Sequence, residues 1–109
     1  MGRRRREPII AYRGEMRTYK AMYKFLPDAV HAEVLDFPGV ITCGADLNEA
    51  RDLLSSALVD MAEECLLRHE PLPDPDPTAT DAEADLEEPI HLVLQASPPI
   101  SITPKMVKT

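Results

Sequence analysis

The sequence predicts a small α+β domain: an antiparallel meander of three strands, one long amphipathic helix packed on it, and a fourth strand near the C-terminus. Three observations predict it. Two early segments alternate apolar and polar residues, the period of a half-buried strand. A longer segment repeats its apolar residues every three or four positions, the period of a helix with one buried face. Residues 90–96 (Ile-His-Leu-Val-Leu-Gln-Ala) are the clearest apolar run outside that helix and supply the fourth strand.

In residues 18–25, Tyr19, Ala21, Tyr23 and Phe25 fall on one side, expected to be buried. Thr18, Lys20, Met22 and Lys24 fall on the other. Leu26-Pro27-Asp28 is a turn. Residues 29–35 alternate again, with Val30, Ala32 and Val34 against His31, Glu33 and Leu35. Residues 40–43 are β-branched and apolar, a third short strand. Short strands joined by short turns form a meander. From Leu47 to about Arg68, the stripe Leu47, Ala50, Leu54, Leu58, Met61 and Cys65 is widened by Leu53, Ala57, Ala62 and Leu66. Arg68 and His69 complement the helix dipole at its end.

Residues 70–89 differ in character. Pro71, Pro73, Pro75 and Pro77 alternate with other residues, which forces extended backbone. Asp74, Asp76, Asp81, Glu83, Asp85, Glu87 and Glu88 follow without a Lys or Arg among them. Such a run reads as a solvated loop. Its functional alternative is a charge surface that steers a basic partner. The domain is thus placed at residues 17–96, with a flexible basic arm at 1–16 and a polar tail at 97–109. Met16 is a natural start, and the first fifteen residues read as an extension outside the fold.

Length and charge bound the function. A chain of 109 residues holds one small domain plus tails. Its net charge of −7 argues against general nucleic-acid binding, which needs Lys and Arg to displace phosphate counterions. Arg3 to Arg6 precede no apolar stretch of signal-peptide length, and no apolar run is long enough to span a membrane. Cys43 and Cys65 have neither metal nor redox spacing. They are expected to be small buried hydrophobes in a reducing, cytoplasmic setting.

The most informative stretch is residues 36–50. Phe37-Pro38-Gly39 makes a tight turn, with Pro presetting φ and Gly accepting φ > 0. Gly44 breaks the third strand. Asp46 followed by Glu49 is an Asp variant of the capping box that starts a helix. Pro38, Gly39, Gly44, Asp46, Glu49 and Ala50 together resemble the N-terminal domain of HicB-type antitoxins, whose pattern is roughly "PG-x-x-x-x-G-x-(T/S/D)-x-x-E-A". Glu70-Pro71-Leu72-Pro73 also looks like that family's "G-x-P-(I/L)-P" stretch, and the similarity covers roughly residues 19–76. Val40 departs from the Cys often found after Pro-Gly in that family.

The resemblance implies a partial RNase H-like fold and a non-enzymatic protein that sequesters a small basic HicA-type toxin, an mRNA-cleaving ribonuclease. On this view Asp74, Asp76, Asp81, Glu83 and Asp85 are the candidate partner-binding residues. Many relatives carry a C-terminal DNA-binding domain. None is recognisable after residue 96, so DNA binding is not expected. The alternative is a solitary domain, a homodimer or higher homo-oligomer, pairing through Ile90, Leu92, Val93 and Leu94.

Catalytic constellations are weak. His31-Ala32-Glu33 matches half of a zinc deaminase motif, but the Cys pair is missing. Asp28, Asp36 and Asp46 sit in turns or at a cap rather than in a metal-binding cluster. Ser55 and Ser56 form no nucleophile elbow, and four glycines form no phosphate loop. No catalytic residue, cofactor or metal is expected.

Overall fold

The computed structural model describes residues 16–94, and residues 17–92 form one compact unit. Its elements are β1 (Met16–Phe25), β2 (Val30–Val34), β3 (Ile41–Gly44), α1 (Leu47–Leu67) and β4 (Leu86–Val93). The strands form one sheet in the order β3-β2-β1-β4. β1 and β2 pair antiparallel with Tyr23 opposite Ala32, and β2 and β3 with His31 opposite Cys43. Thr18 meets His91 at one end of β1 and Tyr23 meets Asp85 towards the other, so β4 also runs antiparallel to β1. The expected α+β meander with a packed helix and a C-terminal fourth strand is therefore the observed architecture.

The core is aliphatic with three rings. Ala50, Leu54, Leu58 and Ala62 recur every four residues on α1 and are buried. They share the interior with Tyr19, Ala21, Tyr23, Val30, Ala32, Val34 and Phe37. Phe37, from the Pro-Gly turn, packs edge-on against Tyr19 at 5.3 Å between ring centroids. Gly39 holds φ +92°, and Val40 N donates to Phe37 O at 3.3 Å, the geometry of a type II turn. Gly44 is the last residue of β3 rather than its break, and it admits the helix. A Cβ there would lie 2.5 Å from Ala50 N. Asp46 caps α1 by accepting from Glu49 N at 2.8 Å, while Glu49 accepts from Ala45 N at 2.6 Å. This is a reciprocal cap shifted one residue outward.

Several details differ from expectation. Phe25, expected on the buried face, is 50% exposed because it lies at the end of β1 beside the turn. Leu53 does not widen the buried stripe: it is 41% exposed, because the helix packs on one narrow i, i+4 row. Cys43 is exposed and Cys65 half-buried, so neither is a fully buried hydrophobe. Cys43 lies opposite His31, on the sheet face turned away from Val30 and Ala32. β4 begins four residues before the expected position and includes Pro89. Proline cannot donate to a ladder, but β4 lies at the edge of the sheet formed by the described residues, where that loss is tolerated. The arm expected at 1–16, apart from Met16, and the tail at 97–109 lie outside the described residues, as do Gln95 and Ala96 of the expected fourth strand.

Candidate partner-binding surface

The acidic segment is anchored along its length. Helix α1 ends at Leu67, and His69 takes the left-handed conformation at φ 59°. Glu70 N donates to Cys65 O at 2.8 Å and His69 N to Leu66 O at 3.1 Å, a Schellman-type ending that redirects the chain. Leu72 is buried. The Pro73 carbonyl accepts from Tyr19 Oη at 2.7 Å and from Arg17 Nη1 at 3.2 Å. From there the segment is a strap crossing the second face of the sheet.

Asp36 is the first fastening. Its Oδ1 accepts from Lys20 N at 2.9 Å and its Oδ2 from Asp76 N at 2.8 Å. Lys20 Nζ then donates to Ala79 O at 2.8 Å, and Lys24 Nζ lies 3.3 Å from Glu83. Met22 sits between these lysines on the same strand and is 2% exposed, so the face expected to be wet is covered here. Asp85 closes the strap. Its Oδ2 accepts from Phe25 N at 2.7 Å, and its N donates to Tyr23 O at 2.8 Å.

Most carboxylates of the run bond inward. Asp76 accepts from Thr78 Oγ1 at 2.6 Å and Thr78 N at 3.0 Å, which holds its pKa below the usual value. Asp81 accepts from Glu83 N at 2.9 Å. Glu87 accepts from Asp81 N and Thr80 Oγ1, and these bonds lower its pKa. Glu88 grips Arg51 at 2.8 and 2.9 Å, a two-point pair that lowers the carboxyl's pKa and raises the guanidinium's. Arg51 also lies 5.9 Å from the centre of the Tyr23 ring. Burial, reinforced by Glu88, pushes the Tyr23 hydroxyl up to about 12. Together these three residues tie β1, α1 and β4.

Of the five candidate partner-binding acids, Asp76, Asp81 and Asp85 therefore satisfy backbone N–H groups, while Asp74 and Glu83 point outward with 97% and 77% of their side chains exposed. A groove of about 490 Å³ lies where the strap leaves the sheet, walled by Pro75, Pro77 and Pro89 and edged by Lys20, Asp36, Asp76, Glu87 and Glu88. The sequence reading missed Asp36 and Lys20 as strap anchors and Arg51 as the partner of Glu88. Their contacts span 16 to 59 residues and leave no local signal.

The remaining candidates are placed as follows. Ile90 and Leu92 point into the core, Leu94 is 8% exposed, and Val93 is 56% exposed. His31 Nε2 lies 2.8 Å from Glu33 Oε2. Among the described residues, no group of three or more His, Cys, Asp or Glu could hold a metal ion, and no helix is long and apolar enough to cross a membrane.

No protein-family model and no curated protein matches the chain. Solved structures do, among them the following two. The N-terminal domain of the Burkholderia pseudomallei antitoxin HicB aligns with 71% of this chain and 99% of its own, at 19% identity and a TM-score of 0.55. A chain of a toxin–antitoxin complex from Streptococcus pneumoniae aligns with 86% of this chain and 79% of its own, at 18% identity and a TM-score of 0.57. Four antiparallel strands with one crossing helix, begun by the Pro-Gly turn and the capped Asp46, thus give this chain the fold of a HicB antitoxin N-terminal domain.

Proposed function

We propose that this chain is a non-enzymatic antitoxin-type protein that sequesters a small basic HicA-type ribonuclease by covering its active surface. The observation that carries the reading is the fold match along 99% of a HicB antitoxin domain. The net charge of −7 supports a basic partner. Asp74 and Glu83 are the strap acids most accessible to it, with Asp76, Asp81 and Asp85 shaping the surface they stand on. Neutralisation is steric and electrostatic, with no turnover and no DNA contact, and it takes place in the cytoplasm.

The test is co-expression with the basic ribonuclease that co-purifies from source cells. Equimolar addition of this chain is expected to stop cleavage of a reporter RNA. Undiminished cleavage at a twofold excess refutes the reading. A homo-oligomer joined along the β4 edge is the second reading, favoured by the position of β4 at the edge of the described sheet. Sedimentation of a Val93→Pro variant as a smaller species than the wild type would support it.

A further inference from the structure

We propose that the β1–β2 hairpin tip, Phe25-Leu26-Pro27, is an apolar anchor that docks into a basic protein surface, guided by the acidic rim of Asp28, Glu83 and Asp85. Tight turns are ordinarily built from Gly, Pro, Asn, Asp and Ser, so Pro27 and Asp28 suit this turn while Phe25 and Leu26 do not. Two large apolar side chains stand in solvent on either side of its start: Phe25 is 50% exposed and Leu26 44%, with Pro27 exposed next to them. The exposed halves of adjacent Phe25, Leu26 and Pro27 form one contiguous apolar patch, the kind of surface that docks a partner. The tip is also held firmly. Leu26 N donates to Ala29 O at 2.8 Å, and Asp85 Oδ2 clamps Phe25 N at 2.7 Å. A rigid apolar anchor loses little conformational freedom on docking.

Charge selects the occupant. Asp28, exposed, follows Pro27 in the turn, and Asp85 and Glu83 are brought to the tip by the bonds to Phe25 N and Lys24 Nζ. Three carboxylates against the single ammonium of Lys24 make the rim acidic. An apolar centre with a charged rim is the anatomy of a protein interface. Its complement is a basic surface with an apolar notch. This inference rests on the reading of the chain as the partner of a basic protein, and it names the contact that reading leaves open.

The test uses a synthetic basic amphipathic helix, with Lys and Leu at helical spacing, as the probe. Amide resonances that shift on titration are expected to cluster at residues 24–28 and 83–85. Phe25→Thr/Leu26→Ser should weaken binding at least tenfold, and Asp28→Lys at least threefold at low salt. Val59→Ser removes an equally exposed apolar residue from α1 and should stay within twofold. If the double variant loses its fold by circular dichroism, Leu26→Ser alone, in the turn, serves instead and should weaken binding at least threefold. Absent shifts, shifts centred on α1 or the β3 edge, or wild-type affinity in the tip variants would overturn the proposal. The two readings fail separately. Probe binding at the tip by a chain that leaves the ribonuclease active sinks only the antitoxin reading. Ribonuclease inhibition untouched by the tip variants sinks only this one.

Discussion

Replacing Gly44 by Ala tests the central packing claim, that β3 and the start of α1 touch backbone to backbone. The added Cβ would lie 2.5 Å from Ala50 N, 2.9 Å from Ala50 Cα and 3.0 Å from the Glu49 carbonyl carbon. None of these is the end of a flexible side chain, so the first helical turn must move. Overpacking of this kind costs about 1–3 kcal/mol, and rigid neighbours place it at the upper end. Shifting the turn also strains the cap bonds between Asp46, Glu49 and Ala45, for about 1 kcal/mol more. The expected loss is about 3–4 kcal/mol, a large share of the roughly 5–10 kcal/mol available to a domain of this size. In urea titrations followed at the helical band, with a slope of about 1 kcal/mol/M, the midpoint should fall by about 3 M. Gly39→Ala is the comparison. Its Cβ would meet only the mobile Cε of Met61 at 3.1 Å, and the cost is mainly that of φ +92°, about 1–2 kcal/mol. A Gly44→Ala variant within 0.5 kcal/mol of wild type would refute the close-approach argument.

His69→Gly should stabilise the protein by about 0.5 kcal/mol, because the left-handed position favours glycine while the unfolded chain gains entropy; a lower urea midpoint would contradict the helix ending described above. Asp36→Ala strips acceptors from Lys20 N and Asp76 N and should cost about 1–3 kcal/mol, with faster amide exchange along residues 76–85; unchanged exchange there would mean the strap is not fastened at Asp36. Glu88 has a lowered folded pKa, so its contribution is present above the unfolded carboxylate value of about 4.3 and is lost as the pH falls through the folded value; Glu88→Gln should flatten this part of the thermal-stability profile below about pH 4.3. Arg51 is substantially exposed, so a double-mutant cycle of Arg51→Met with Glu88→Gln should show a weak favourable coupling that shrinks in 0.5 M salt; a coupling unchanged by salt would contradict the solvent-screened pair.

The parts of this fold visible in the sequence were those with a local cause. Pro38-Gly39, Asp46 with Glu49, and the helical recurrence of Ala50, Leu54 and Leu58 within the stripe from Leu47 to Cys65 each follow from the geometry of a single turn or helix. The strap was legible only as composition. A Pro-rich acidic run looks solvated when judged alone, and nothing within residues 70–85 announces that Lys20, Lys24 and Asp36 will hold it. Pro89 hid the start of β4 for the same reason: proline argues against a strand until the strand is known to be an edge. The surface candidates divide similarly. Acidic residues are conspicuous in a sequence, yet whether a carboxylate faces a partner or its own backbone depends on tertiary bonds, and Asp76 and Asp85 face their own backbone.

Asp36 imposes an order of events on folding. Its two oxygens join Lys20 of β1, 16 residues before it, to Asp76, 40 residues after it, so one bond closes a short loop and the other a long one. The β1–β2 hairpin and its turn are local and close quickly, whereas a long loop pays its closure entropy before any contact repays it. The strap is therefore a late-docking element: the meander and helix assemble first, and the acidic run settles onto a finished surface. During that interval Met22 lies uncovered, and the closely spaced like charges of the run keep it extended and self-repelling until the lysines of β1 are in place to receive it.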